Sequence, residues 1–175
     1  MNNIYAHTGW MLLAFAGVLA VPAVAQKPDF SGTWRLNLAR SFLGGEHPSP
    51  EYQLTKIIEQ KSDEVTMTDI SVHQTIVNIP MPDSKITNTL ILDEKEREVK
   101  GAIPFPGVPA PTLMVSPEWQ GGTLAITERG NSTEGATTTC RRYYLSSDGA
   151  ELIEIVESHS SHRDTEQRLV FERGN

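Results

Sequence analysis

From residue 32 onward the chain alternates apolar and polar residues with a period of two, and no window of eleven residues carries a helical period. In "GTWRLNL" (32–38), Trp34, Leu36 and Leu38 fall on one side and Thr33, Arg35 and Asn37 on the other, so a strand turns the tryptophan toward a core. The same rhythm recurs around short polar or glycine turns in "IIEQKSDEVTMT" (57–68), "LILDEKEREVKG" (90–101), "EWQGGTLAIT" (118–127) and "YLSSDGAELIEI" (144–155). "QGG" and "SDG" supply residues that accept positive φ in tight hairpins. With an opening strand at Gly32 and a last one at "EQRLVFER" (166–173), the pattern predicts an all-β fold. It is an antiparallel meander of about eight to ten strands closing into a barrel, because closure removes exposed edges. The proline-rich stretches "NIPMPDSK" (78–85) and "IPFPGVPAPT" (103–112) read as loops or lids, since proline cannot donate within a ladder.

The beginning of the chain breaks this rhythm. Residues 1–25 contain no Asp, Glu, Lys or Arg, and the apolar run "MLLAFAGVLAVPAV" (11–24) leads into the small-residue terminus Ala23-Val24-Ala25. That is the form of a secretory signal peptide, with the expected cleavage between Ala25 and Gln26. The apolar run is short of the roughly 20 residues a spanning helix needs, so no membrane insertion is expected after cleavage. The reading is 1–25 signal peptide and 26–175 one domain, exported to a periplasmic or extracellular space. That domain holds all the charged residues and the net charge of −7. A surface this acidic repels phosphate backbones, so nucleic acid is not an expected partner. The lone Cys140 cannot form an internal disulfide and reads as a buried thiol. Asn131-Ser132-Thr133 matches a glycosylation sequon.

Gly32-Thr33-Trp34, within "SGTWRLNLARSF", together with the closing "LVFERG", resembles the two chain ends of the calycin group, the lipocalins and fatty-acid-binding proteins. With the secretion signal, the whole is similar to small exported bacterial lipocalin-like proteins. The resemblance implies a lipocalin-like barrel in which first and last strands are neighbours. Gly32 and Trp34 then form its structural signature, with an arginine such as Arg173 lying over the indole. Two features depart from the fatty-acid-binding branch. "ARSFLGGEHPSP" (39–50) is too short for a two-helix lid, and Leu169 and Phe171 stand where that branch has an inward Arg-x-Tyr. The fatty-acid activity does not transfer with the fold.

The candidate chemistry is concentrated in "TTCRRYYLSS" (138–147). A strand there faces inward with either Arg141, Tyr143 and Leu145 or Cys140, Arg142 and Tyr144, and each face brings one arginine and one tyrosine. A buried guanidinium needs an anionic partner, either a ligand carboxylate or an internal glutamate. The first alternative makes Arg141 and Tyr143 the polar end of a ligand site with Leu36, Leu54 and Leu145 as its apolar wall. His159 and His162 point to opposite faces of a strand and suit a solvated loop better than a metal set. Glu151, Glu154 and Glu157 read mostly as a solvated edge. No cofactor motif and no catalytic residue is identified. Three classes stay open: a binder of a small, mostly apolar or amphipathic ligand, neutral or anionic, a packed structural or interaction barrel, and an enzyme using the cavity. The first is preferred, and the inward set Trp34, Tyr52, Leu54, Ile58, Val65 and Met67 predicts that the lower half of the interior is filled.

Overall fold

The computed structural model describes residues 27–45, 51–72, 75–76, 79–80, 82–101, 111–132 and 135–174. The expected signal segment, most of the 103–112 stretch and part of 78–85 lie outside these. Twelve strands are described: β1 Gly32–Leu36, β2 Gln53–Gln60, β3 Glu64–Val72, β4 Thr75–Ile76, β5 Ile79–Pro80, β6 Ser84–Ile91, β7 Arg97–Lys100, β8 Thr112–Gln120, β9 Thr123–Ser132, β10 Gly135–Leu145, β11 Glu151–Ser160 and β12 Asp164–Arg173. Ten form one antiparallel sheet in the order β6-β3-β2-β1-β12-β11-β10-β9-β8-β7, and β4 pairs with β5 separately. The first strand does lie beside the last, with Trp34 opposite Arg173 and Leu36 opposite Phe171.

The sheet curls into a half-barrel whose edges are β6 and β7. Here the structure differs from the sequence reading, which paired the two halves of "LILDEKEREVKG". Both halves are strands, but β6 pairs with β3 and the four-residue β7 pairs with β8. The connection between them is held by its own side chains and by the β2–β3 turn. Arg97 grips Asp93 with both terminal nitrogens at 2.5 and 2.6 Å, Glu94 takes φ +62°, and Leu92 N–H donates to Asp63 O instead of to β7.

One face of the sheet supplies the core. Phe30, Trp34, Ile58, Val65, Leu124, Leu152 and Phe171 are at most 1% exposed. Gly32 is required where it stands: its φ is +139°, and a Cβ would come within 3.4 Å of the Arg173 guanidinium. At Gly130 a Cβ would lie 2.6 Å from Leu113 Cδ2, so a larger residue there would have to displace the Leu113 side chain. Between β1 and β2 the described residues form a single 3-10 turn, Leu38–Arg40, in which the Asn37 side chain accepts from Arg40 N–H. Phe42 then rejoins β12 by paired backbone bonds to Arg168 at 2.7 Å. Cys140 is half-buried on the convex face, in register with Thr127 and Glu157, rather than in the core as the sequence suggested. The reason is register: with Tyr143 inward, Cys140 must point out.

Candidate functional site: an ionic layer across the curled sheet

Alternation along β10 resolves the choice of face. Tyr143 is 2% exposed and enters the core cluster, so Arg141, Tyr143 and Leu145 share the concave side. Arg142 points out and pairs with Glu157. Arg141 Nη1 donates to Glu154 Oε1 at 3.0 Å, and its Nε donates to Glu128 Oε1 at 3.3 Å. The guanidinium thus finds its anionic partners inside the chain. Tyr143 Oη donates to the same Glu154 oxygen at 2.8 Å.

The other side of the layer comes from β2. Lys56 is 2% exposed, and its Nζ donates to Asp69 Oδ1 at 2.7 Å and lies 3.6 Å from Glu154 Oε2. Three strand positions separate β2 from β11, so only the curl of the sheet brings these charges together. On its way the lysine passes over the rings of Tyr143 and Phe171, 5.4 and 5.7 Å from their centroids. Two cations therefore face three carboxylates on the concave side.

The electrostatics follow from this crowding. Burial pushes the Glu154 carboxyl up, but Lys56 and Arg141 outweigh it and hold it below the ordinary value. Burial works equally against the Lys56 ammonium, and the Glu154 and Asp69 charges leave it well above the usual lysine range. Burial and the neighbouring Glu154 charge raise the Tyr143 phenol, which remains a donor. Neither cation is poised to lose its proton near neutrality, so the layer is built for hydrogen bonding and charge, not for a nucleophilic amine.

Sequence reasoning singled out Arg141 and Tyr143 but passed over Lys56 and put Glu154 with the solvated acids. Glu154 is 1% exposed. A signal was present: Lys56 interrupts the apolar set Leu54, Ile58, and Glu154 interrupts Leu152, Val156, each at the inward phase of its strand. The remaining candidates are spread around this layer. Leu36, Phe171, Leu152 and Leu145 are successive register partners across four strands, and Leu54 of β2 is the register partner of Ser71 of β3. Leu36, Leu54 and Leu145 are half-buried against the core. Arg173 lies over Trp34, 4.6 Å from the ring centroid. His159 is exposed on β11 with Nδ1 3.1 Å from Asp164, and His162 lies in the exposed β11–β12 turn.

An antiparallel meander of ten strands, curled around an apolar core, with the first strand's Trp34 capped by an arginine of the last, is the calycin-type architecture of lipocalins and fatty-acid-binding proteins. Comparison of folds agrees. Human cRBP IV superposes over 84% of this chain and 99% of its own, at 15% identity and a TM-score of 0.54. Zebrafish ileal bile acid-binding protein, complexed with cholic acid, matches 83% of this chain and 98% of its own, at 17% identity and a TM-score of 0.53. Schistosoma mansoni fatty acid binding protein, in complex with arachidonic acid, matches 83% and 96%, at 14% identity and a TM-score of 0.54. No protein-family model matches the chain, and neither does any curated protein sequence. The likeness is one of fold.

Proposed function

We propose that the chain is exported and holds one small, mostly apolar molecule in the half of the curled sheet that its own side chains leave accessible. The observation that carries this reading is the change along the concave face at the ionic layer. Glu154 has 2% of its side chain exposed, whereas Arg141, bonded to it on the same face, keeps 34% accessible. Of the five guanidinium donors only two are used by Glu128 and Glu154 in the described contacts, which leaves donors for a ligand's polar end. The half-buried Leu36, Leu54 and Leu145 offer the apolar wall. Two of the similarly folded proteins are held with cholic acid and arachidonic acid, both amphipathic acids, which supports a ligand of that shape.

Calorimetric titration of wild type, Arg141→Ala and Arg142→Ala with cholate and a long-chain fatty acid tests this. Wild type binds, Arg141→Ala loses about 2 kcal/mol or more, and Arg142→Ala, altered only on the convex side, binds as wild type does. Absence of binding by wild type, or equal binding by all three, favours the second reading, a packed interaction barrel. That reading has its own support in the internally paired ionic layer, where an added anion meets three carboxylates against two cations. Export is tested separately: N-terminal sequencing of the secreted form begins at Gln26, and retention of Met1 refutes the cleavage.

A further inference from the structure

The polar groups that a molecule in the accessible half of the sheet can touch are only part of the ionic layer. Lys56 and Glu154 keep 3% and 2% of their side chains exposed and serve each other and the core. Arg141, Glu128 and Asp69 keep 34%, 25% and 40%. The accessible part of the layer is thus one guanidinium and two carboxylates, on a chain whose net charge is already −7. Arg141 is bonded to Glu128 at 3.3 Å and to Glu154 at 3.0 Å, so an entering anion has to share that cation with both.

The concave face also changes chemistry along its strands. β10 runs from Leu145 and Tyr143 through Arg141 to Thr139, β11 from Leu152 to Ser158, and β12 from Phe171 and Leu169 to Gln167 and Thr165. Glu128, Thr139, Ser158 and Thr165 are successive register partners from β9 to β12, and all four are half-buried. The Thr139 and Ser158 hydroxyls bond to each other at 2.9 Å. Such a pair still has one hydrogen to donate and lone pairs to accept. The row therefore sets donors and acceptors side by side, next to the guanidinium hydrogens not used by Glu128 and Glu154.

We propose that the ligand's polar end is neutral and carries adjacent hydroxyls, as in an ester of a polyol with an apolar chain, an inference that rests on the apolar site proposed above. A hydroxyl donates to the Glu128 carboxylate and accepts from Arg141 through one oxygen. A carboxylate does only the second, and adds a fourth negative charge to those of Glu128, Glu154 and Asp69. An amine does only the first, and meets Arg141 as a like charge. The adjacent hydroxyl reaches along the row to Thr139 and Ser158, while the chain lies against Leu36, Leu54 and Leu145.

Two molecules with the same chain separate the alternatives: decanoate and the glycerol monoester of decanoic acid, titrated calorimetrically near neutral pH below the concentrations at which they aggregate. The ester is expected to bind about fivefold more tightly than decanoate. Glu128→Gln strengthens decanoate about two- to fivefold and changes the ester little. Thr139→Val weakens the ester about fivefold and leaves decanoate as it was. The wild-type comparison needs no variant, so it decides even where one of them fails to fold. Decanoate binding as tightly as the ester, or either folded variant altering the two ligands alike, overturns the proposal and leaves the apolar site standing. Binding of neither ligand removes that site and the proposal with it.

Discussion

Trp34 shows how much of the fold one side chain secures. It is fully buried, bonded through Nε1 to Phe30 O, and covered by Arg173 from the closing strand. It therefore links the amino-terminal segment, β1 and β12. Trp34→Ala removes this contact surface and orphans the Phe30 carbonyl, and is expected to cost about 3–5 kcal/mol in urea denaturation. Total stabilities run about 5–15 kcal/mol, so the variant is close to unfolding. A loss below about 1 kcal/mol would show that the indole is not a core element. The position of Trp34 was legible from alternation in "GTWRLNL" alone. Its hydrogen bond was not, because Phe30 precedes the strand and nothing in the local pattern fixes where its carbonyl points.

At the scale of elements, β2, β10 and β11 are joined less by their ladders than by the charges they turn inward. Lys56→Met takes from the buried Glu154 one of its two cations, and Glu154→Leu leaves the buried Lys56 with only the exposed Asp69 as a partner. Each single change is expected to cost about 3–5 kcal/mol, whereas the double variant costs less than their sum by at least about 1 kcal/mol, because removing both ends leaves no uncompensated pair. Additive losses in chemical denaturation would mean the two groups do not interact. The pH dependence has a definite sign. The folded-state pKa of Glu154 lies below its unfolded value, so its contribution is present above the ordinary carboxylate range and disappears as pH falls through the folded value. Wild type therefore loses stability on acidification through that range more steeply than Glu154→Gln, as denaturation midpoints at stepwise lower pH will show.

Across the whole molecule, the sheet has a continuous middle and two unequal edges. β1 and β12 are paired on both sides, while β7 is four residues long and β6 has one ladder partner. Amide hydrogen exchange is expected to be slowest in β1, β11 and β12 and fastest in β6 and β7, with opening of the edge strands preceding global unfolding. Uniform protection across all ten strands would indicate that the two edges are joined in solution.

The sequence by itself determined the strand-by-strand character of the chain, the tight turns, the meander and the neighbouring of its two ends. These rest on period-two alternation and turn chemistry, which are local and written residue by residue. It also placed an arginine and a tyrosine on each face of β10. Only the tertiary structure decided which pair looked inward, because that depends on the register of β10 against β9 and β11. The curl decided the rest. Lys56 and Glu154 lie on strands three positions apart and almost a hundred residues apart in sequence, and no local rule says that a lysine in one apolar run will meet a glutamate in another. The cleft between Lys27, Lys61 and Trp119 arises in the same way, where the segment before β1, the β2–β3 turn and the end of β8 converge. Alternation says which side of a strand a residue takes, and the bending of the sheet says what it finds there.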